Sequence, residues 1–333
     1  MTAQVPVRLT VAMRRVLILG GTGWLGREIA RAHLAHGAEV TCLARGESGA
    51  VPEGARLVRA DRTLPGAYDA VAGAWDEVVE IAYDHDLVAS ALDALAESAE
   101  HWTLISSVSV YARADEPGAD ETAELVEPSD LTQYPDAKVA AERATAERVG
   151  DRLLIARPGL IVGPGDPTDR FGYWPARLQR GGRAVVPTAA GRHVQIIDVA
   201  DLAAWVVSAA RAGLTATVNA VGEIHPMERF FPIAQQVTGF AGELVPVDDG
   251  TLHDATIAPW AGPRSLPLWL PADHSGFMQR SGRRFLETGG ALTPLAETIE
   301  RVAQDERARG IDRDRRAGLT RDEELEVLRS VAV

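Results

Sequence analysis

One stretch of this sequence decides its fold: Val16-Leu17-Ile18-Leu19-Gly20-Gly21-Thr22-Gly23-Trp24-Leu25-Gly26. Its four apolar residues predict a buried parallel strand, and the helical pattern that follows continues to His36, before Gly37 ends it. Between strand and helix, Gly20 allows the tight turn, Gly23 lets the backbone approach a diphosphate, and Gly26 lets the helix pack on the strand. The helix N-terminus offers amides and a positive dipole end to phosphates. We therefore expect a dinucleotide to bind at Gly20, Thr22, Gly23, Trp24, Leu25 and Gly26.

Strands and helices alternate from this loop to residue 156. Apolar runs predict further strands at 39–44, 57–60, 77–82, 102–105 and 152–156, and helical patterns occupy 87–98 and 134–149. Alternation of this kind is typical of a doubly wound parallel sheet. The predicted fold class is therefore α/β, with a Rossmann sheet.

The composition of the sequence changes after Arg157-Pro158-Gly159, where prolines, glycines and tryptophans become frequent. An apolar run at 194–198, followed by a helical pattern at 199–211, indicates a return to the sheet. We expect an NAD(P)-binding domain formed by residues 13–165 and about 193–213. A smaller, interleaved substrate-binding domain would take about 166–192 and 214–310. Residues 311–333 would form a helical tail, whose helix starts at a capping box of Thr320 and Glu323.

Composition restricts the classes of function. The formal net charge of -13 argues against a general binder of nucleic acid or of anionic membranes. Cys42 is the single cysteine, so no intrachain disulfide can form, and a cytoplasmic location is expected. No apolar run reaches the roughly 18 residues of a membrane-spanning helix. Residues 1–12 lack the features of a signal peptide and are expected to be a loose extension or an upstream start.

Lys138 is the only lysine in a chain with 34 Lys and Arg residues. Arginine stays protonated at any working pH, whereas lysine is a compact charge whose pKa responds to its surroundings. Lys138 stands one helical turn after Tyr134, where its charge would favour the phenolate and lower the pKa of the tyrosine. The spacing therefore predicts a general acid/base pair. A chance Tyr-x-x-x-Lys on a solvated helix is the alternative.

The ends of the second and third predicted strands bear on the cofactor. An NAD-preferring site places an acidic residue after the second strand, but Arg45 stands here and suits a ribose 2′-phosphate. We therefore favour NADP(H), with NAD(H) as the alternative. Asp61 could accept a hydrogen bond from the adenine amino group or simply cap its loop. Asp84-His85-Asp86 is better explained as a helix cap than as a metal cluster, so no metal site is predicted.

These motifs together resemble the short-chain dehydrogenase/reductase superfamily, in its extended, NAD-dependent epimerase/dehydratase-like branch. The resemblance covers most of residues 14–215 and includes Ser106-Ser107-Val108-Ser109-Val110-Tyr111, which matches the Ser-Ser-x-x-Val-Tyr signature of the family. It implies that Ser107 is the catalytic serine and that its hydroxyl hydrogen-bonds the reacting oxygen. Tyr134 would exchange the proton, and Lys138 would hold the nicotinamide ribose and favour the phenolate.

Departures from the family pattern narrow the reaction. Sugar dehydratases of this branch carry an acidic pair after the catalytic residue, but Val108-Ser109 stands here. The Arg-Pro-x-x-x-x-Gly-Pro run at 157–164 is closer to the carbonyl reductases of the branch, and we count Pro158 among the cofactor-binding residues. Hydride transfer between nicotinamide and a carbonyl or alcohol carbon is therefore favoured. The alternatives are a redox-neutral sugar epimerase that retains NAD and a non-catalytic nucleotide-sensing or RNA-binding relative.

The substrate is expected to be a small molecule, set by the second domain. Trp260, Trp269 and Phe277 are expected either to line an apolar pocket or to be core. A phosphorylated substrate would call on arginines, and the candidates are Arg177, Arg180, Arg183 and Arg192. A homodimer through the helix that carries Tyr134 is implied by the resemblance.

Overall fold

The computed structural model describes residues 13–331, so the expectation for residues 1–12 lies outside the described residues. The strands are β1 (Arg15–Leu19), β2 (Glu39–Ala44), β3 (Arg56–Arg59), β4 (Glu77–Glu80), β5 (Trp102–Ile105), β6 (Leu153–Pro158), β7 (Leu160–Val162), β8 (Arg183–Pro187), β9 (His193–Asp198), β10 (Ala216–Ala220), β11 (Ile224–Pro226), β12 (Glu243–Val247), β13 (Ala258–Pro259) and β14 (Ser265–Leu266). The helices are α1 (Trp24–Ala35), α2 (His85–Leu95), α3 (Tyr134–Val149), α4 (Tyr173–Gln179), α5 (Val199–Arg211), α6 (Met227–Thr238), α7 (Asp249–Asp254), α8 (Arg283–Glu287), α9 (Leu295–Arg309) and α10 (Arg321–Ser330).

Seven parallel strands form the central sheet, in the order β10-β6-β5-β4-β1-β2-β3. The chain runs outward from β1 to β3, then crosses to the other side of β1 and continues from β4. Ligands of open α/β sheets bind where the strand order reverses, outside the carboxyl ends of the strands. This topology therefore places the site beyond the ends of β1 and β4.

Helices cover both faces of this sheet. On one face α1 packs beside α5, and their contact buries Ile29, Leu202 and Trp205 with the side chains of β1. On the other face α2 packs beside α3. The strands between them are almost wholly buried, as expected of a parallel sheet covered on two sides. The predicted doubly wound α/β class is confirmed.

The C-terminal part has a core of its own, in which Trp174, Phe230 and Trp269 are fully buried. It contains α4, α6 and α9, the parallel pair β8–β12, and a small sheet of order β11-β9-β7. α10 closes it, starting at the predicted capping box of Thr320 and Glu323. Within residues 13–331, no helix is both long enough and apolar enough to cross a membrane.

Two strands differ from the sequence prediction. The run at 194–198 does not rejoin the central sheet, because β9 pairs with β7 and β11. Its side chains are buried between the two parts of the molecule, which gives it the apolar pattern of a central strand. The seventh strand of the central sheet is instead β10, which lies beside β6 and was predicted to belong to the second domain. We therefore propose a boundary of the nucleotide-binding part after Ala220, with α5 returning to it.

Candidate active site

The predicted glycine turn joins β1 to α1. Gly20 has φ +100°, which is a left-handed conformation that side chains disfavour. A Cβ on Gly26 would lie 2.5 Å from the Gly20 carbonyl oxygen, so any larger residue would push helix and turn apart. Gly23 occupies the N-cap position and brings no side-chain cap to the first amides of α1. The turn therefore presents main-chain donors at a helix N-terminus, which is the arrangement that binds phosphates.

Trp24 and Leu25 begin α1 and use their side chains for packing. Trp24 Nε1 donates to the Pro164 carbonyl oxygen at 2.8 Å and ties the turn to the segment after β7. Leu25 is half-buried against the core under α1. What these two residues offer a dinucleotide is therefore their main chain.

A cavity of about 800 Å³ opens where the topology places the site. It lies outside the carboxyl ends of β1, β2 and β4, and its volume lies in the range of small-molecule and cofactor pockets. Its walls include the predicted residues Gly20, Thr22, Arg45 and Asp61, together with Ile81 and Tyr83.

Three arginines surround the loop at 45–49, at one end of this cavity. Arg45 is exposed and pairs with Glu47 at 3.2 Å. The Arg59 guanidinium lies against Gly46, where a Cβ would come within 2.3 Å of its Nη1. Arg27 Nη1 donates to the Ser48 carbonyl oxygen at 2.8 Å. Sequence reasoning found Arg45 but missed Arg59, which reaches the loop from the adjacent strand β3.

Two further predicted cofactor residues, Asp61 and Pro158, make contacts within the protein itself. Asp61 lines the cavity, but its Oδ1 accepts from the amide and the hydroxyl of Thr63, at 3.0 and 2.8 Å. These hydrogen bonds lower the pKa of Asp61. Pro158 ends β6, is buried, and stands opposite Ala220 of β10 at the carboxyl edge of the sheet.

Lys138 is buried behind Ile81 and Tyr83, which line the cavity, with only 3% of its surface exposed. Its Nζ donates to the Ile105 carbonyl oxygen at 2.6 Å, at the end of β5. Burial lowers the pKa of Lys138 to about 8, against the opposing charges of Glu80 and Glu142. The only lysine of the chain is therefore a desolvated ammonium group whose pKa lies near working pH.

Tyr134 stands beside Lys138 and remains 40% exposed. Its ring packs edge-on against Tyr83, with centroids 4.9 Å apart, and Lys138 Nζ lies 5.2 Å from the Tyr83 ring and 5.8 Å from the Tyr134 ring. The pKa of Tyr134 is raised, opposite to the expected direction. Burial of the phenol raises it, and this outweighs the hydrogen bond with Ser107 and the charge of Arg170, which lower it.

Ser107 follows β5 and is 8% exposed. Its Oγ accepts from the Ser109 amide and donates to the Ser109 hydroxyl, both at 3.1 Å. Ser109 thus orients the Ser107 hydroxyl, while Ser106 uses its amide to bond the Ala156 carbonyl oxygen in the sheet. The structure brings Ser107, Tyr134 and Lys138 together; the spacing predicted the pair Tyr134 and Lys138, and the family resemblance implied Ser107.

A buried polar network supports Lys138 and was not found from the sequence. Glu142 lies one turn after Lys138, and Arg157 donates to both of its oxygens, at 2.9 and 2.6 Å. Arg157 also donates to the Tyr111 hydroxyl at 3.1 Å, and that hydroxyl donates to Asn219 Oδ1 at 2.5 Å. Arg157 and Tyr111 belong to recognisable sequence motifs, but neither motif indicates that Glu142 or Asn219 is the hydrogen-bond partner.

In the C-terminal part of the molecule, Arg170 is the residue that sequence reasoning missed. Its guanidinium lies 5.0 Å from the centroid of Trp260, which packs edge-on against Phe277 at 5.5 Å. Trp269, by contrast, is fully buried core. The four arginines considered for a phosphorylated substrate all form ion pairs elsewhere, namely Arg177–Glu324, Arg180–Asp312, Arg183–Glu243 and Arg192–Asp249.

Asp84 caps α2 as predicted, since its Oδ1 accepts from the amides of Asp86 and Leu87 at 3.1 Å. Across residues 13–331, no group of three or more His, Cys, Asp and Glu side chains is arranged to hold a metal ion.

Comparison with known proteins agrees with this geometry. The family described as "NAD dependent epimerase/dehydratase family" matches residues 16–222, which include the glycine turn, Ser107, Tyr134 and Lys138.

Two curated relatives carry the names of oxidoreductases. The chain is 30% identical over 183 residues to 2'-dehydrokanamycin reductase of Streptomyces kanamyceticus, a match that covers 52% of this chain and 51% of the relative. It is 27% identical over 276 residues to dTDP-6-deoxy-L-talose 4-dehydrogenase (NAD(P)(+)) of Kitasatospora kifunensis, covering 72% of this chain and 85% of the relative. The chain thus spans about half the length of the first relative and most of the second.

Solved structures share the fold at low identity. The Thermus thermophilus UDP-glucose 4-epimerase in complex with NAD has a TM-score of 0.65 at 19% identity, covering 89% of this chain and 100% of that one. The Bordetella bronchiseptica enzyme WbmG in complex with NAD and UDP has a TM-score of 0.67 at 17% identity, covering 90% and 97%.

These comparisons confirm the predicted superfamily branch. The match extends through β10, so it spans the whole central sheet and the three residues gathered at its carboxyl edge. The chain belongs to the NAD dependent epimerase/dehydratase family.

Proposed function

We propose that this protein is an NADP(H)-dependent oxidoreductase that reduces the carbonyl group of a small molecule, or oxidises the corresponding alcohol. The observation that supports this most is the position of the candidate catalytic residues. Ile81 and Tyr83 line the dinucleotide cavity, and both contact Lys138, through the Ile81 carbonyl oxygen at 3.5 Å and the Tyr83 ring. The acid/base pair therefore lies at the end of the cavity opposite the loop at 45–49.

In this proposal, Ser107 and Tyr134 act on the reacting oxygen. When bound, the nicotinamide supplies or accepts the hydride. With substrate bound, the Ser107 hydroxyl turns its proton from Ser109 Oγ to the substrate oxygen, and the Tyr134 hydroxyl gives that oxygen a proton as the carbon gains hydride. The raised pKa of Tyr134 keeps the phenol protonated at neutral pH, which suits the proton-donating role in reduction.

Lys138 is the electrostatic partner of Tyr134. Proton transfer leaves Tyr134 as a phenolate, and the centroid of its ring lies 5.8 Å from Lys138 Nζ. In these buried surroundings opposite charges attract more strongly than in water. Glu80 and Glu142 counter part of the burial cost of the ammonium group. Arg62 pairs with Glu80 and Arg157 with Glu142, and within the described part of the chain neither carboxylate lies within 4 Å of Lys138 Nζ.

For the cofactor we favour NADP(H). A 2′-phosphate at the loop 45–49 would meet Arg45 and Arg59, and it would replace Glu47 as the anion paired with Arg45. Arginine guanidinium groups match the geometry of a phosphate and can each form two hydrogen bonds with it. An NAD site instead uses one acidic side chain to bind the ribose 2′-hydroxyl.

Net oxidoreduction is favoured over epimerisation by two observations. The curated relatives carry the names of a reductase and a dehydrogenase. The Arg-Pro-x-x-x-x-Gly-Pro run at 157–164 is closer to the pattern of the carbonyl reductases of the branch than to that of its epimerases.

The test is consumption of NADPH, followed by its absorbance, with a panel of aldehydes and ketones. We expect turnover by the wild type and a loss of at least about a hundredfold in Tyr134→Phe, as for removal of a general acid. The variant should bind NADPH as tightly as the wild type, because its ring and packing are kept. Unchanged turnover in Tyr134→Phe would overturn the proposed mechanism.

A further inference from the structure

Arg170 lies on the segment between β7 and α4, and packing links it to the candidate catalytic residues. Its neighbour Trp260 packs on Phe277, and Phe277 packs against the cluster that contains Val108, next to Ser107, and Val139, next to Lys138. Burial raises the pKa of Tyr134 overall, and the charge of Arg170 opposes this shift. Arg170 Nε donates to Thr168 Oγ1 at 3.3 Å. The guanidinium is thus held in place beside the proposed reaction centre.

The aromatic wall next to Arg170 is equally fixed. Trp260 has φ +69°, a left-handed conformation that is costly for a bulky residue, and its amide donates to the Trp269 carbonyl oxygen at 3.1 Å. This backbone holds the indole beside the Arg170 guanidinium, and Phe277 supports the indole from its edge. A guanidinium stacked on an indole keeps its edge donors available for a planar or tetrahedral anion.

Arg170 also differs from the other half-buried arginines of this region in its partners. Among the described residues, no carboxylate lies within 4 Å of it, whereas Arg177, Arg180 and Arg192 each have one. The closest acidic influence is Asp166, whose own oxygens accept from the amide and the hydroxyl of Thr168. A half-buried cation that receives no counter-ion from the protein is a position at which an anion of the substrate would be stabilised.

We propose that Arg170, stacked on Trp260, is a subsite for an anionic oxygen group of the substrate, a carboxylate or a phosphate, close to the carbonyl carbon that reacts at Tyr134. This inference rests on the proposed function for the identity of the reaction centre. It adds the substrate class: carbonyl compounds that carry an acidic group rather than neutral ones.

The test compares charged and neutral partners of the same carbonyl compound. Isothermal titration of protein saturated with NADP+, which cannot reduce a carbonyl, would use 4-oxocyclohexanecarboxylate against its methyl ester, and dihydroxyacetone phosphate against dihydroxyacetone. A charged hydrogen bond is worth about 1.5 kcal/mol or more, so we expect the charged partner of one pair to bind at least about tenfold tighter. The first pair reports a carboxylate subsite and the second a phosphate subsite.

The variants assign the preference to the residue. Arg170→Gln should abolish it, Arg170→Lys should restore part of it, and Arg283→Gln, at an exposed arginine of α8, should keep it in full. Equal affinity within both pairs in the wild type, including no measurable binding of any of the four compounds, overturns the subsite. A preference that survives in Arg170→Gln overturns it as well. If Arg170→Gln does not fold, the wild type and Arg170→Lys decide.

Binding and turnover separate the two proposals. Selective binding of the charged compounds without consumption of NADPH would leave the subsite standing and contradict the proposed function. Turnover of carbonyl compounds with no preference for a charged group would do the reverse.

Discussion

Replacing Lys138 with methionine is expected to stabilise the protein at neutral pH while it removes activity. Burial lowers the pKa of Lys138 from 10.5 to about 8, so the folded state disfavours the ammonium form relative to the unfolded state. A difference of that size corresponds to roughly 3 kcal/mol at pH 7, since each pH unit between the two pKa values is worth about 1.4 kcal/mol. Methionine carries no charge, but it leaves the Ile105 carbonyl oxygen without its donor, and this loss reduces the gain in stability by about 1 kcal/mol.

The pH dependence separates the charge from these other effects. Between pH 8 and 10.5 the unfolded wild type binds more protons than the folded wild type, so its stability rises with pH. Lys138→Met lacks this titration, and its advantage over the wild type should therefore shrink by roughly 2 to 3 kcal/mol between pH 7 and pH 10. Urea unfolding at several pH values measures the difference, because the cost of the lost hydrogen bond is the same at each pH.

Lys138→Arg is the matched control. Its guanidinium stays charged over the whole interval, so its stability should run parallel to that of Lys138→Met. Both variants should lose turnover, because neither offers a compact ammonium group to Tyr134. Parallel curves for wild type and Lys138→Met would refute the view that Lys138 is a desolvated cation, and full activity in Lys138→Arg would refute its role beside the tyrosine.

Three further results are expected. The double variant Arg45→Gln/Arg59→Gln should weaken NADPH binding by about tenfold or more in a fluorescence titration and leave NADH nearly unaffected, since only the 2′-phosphate uses these arginines; equal losses for both nucleotides would contradict the assignment. Burial raises the pKa of Glu77 to about 8, so its charged form destabilises the fold increasingly from pH 4.5 upward, and Glu77→Gln should gain roughly 3 kcal/mol on the wild type between pH 5 and pH 8 in urea unfolding. Stability curves that do not diverge with pH would show that Glu77 is not desolvated. Gly26→Ala should abolish nucleotide binding, because its Cβ would meet the Gly20 carbonyl oxygen at 2.5 Å; normal affinity in a folded variant would contradict the role of that contact.

Much of the nucleotide-binding part could be predicted because its signals are local. The boundaries of β2, β5 and α3 agree with the sequence patterns, and each is a continuous run that ends at a clear stop signal. The closeness of Tyr134 and Lys138 was predictable for the same reason, since the two residues lie on one helix with a fixed spacing.

What could not be predicted depends on contacts between distant parts of the chain. Tyr83, on the segment after β4, meets Tyr134 at the start of α3, 51 positions later in the chain, and the hydrogen bond from Tyr111 to Asn219 joins residues 108 positions apart. The direction of the Tyr134 pKa shift was also wrong, because the local spacing shows the lysine but not the burial of the phenol. Arg170 carries no local signal that distinguishes it from the arginines that form ion pairs.

β9 and β10 show the same limit for the fold. β9 contains the apolar residues Val194, Ile196 and Ile197, whereas β10 contains Thr217 and Asn219, so the apolar pattern favours the strand that does not join the central sheet. Strand order depends on how α5 packs beside α1. The chain reaches the edge of β6 only after α5 has ended, so β10, and not β9, pairs with β6.

The most direct test of the central claim is transfer of deuterium from NADPH labelled at the transferring carbon of nicotinamide. After incubation with a carbonyl panel that includes acidic compounds, mass spectrometry reads the label in the products. We predict that wild type forms an alcohol with deuterium on the former carbonyl carbon, in an amount equal to the NADPH consumed, and that Tyr134→Phe binds NADPH but forms none. Tightly retained NAD that does not exchange, with interconversion of sugar epimers and no net transfer of label, would contradict the claim.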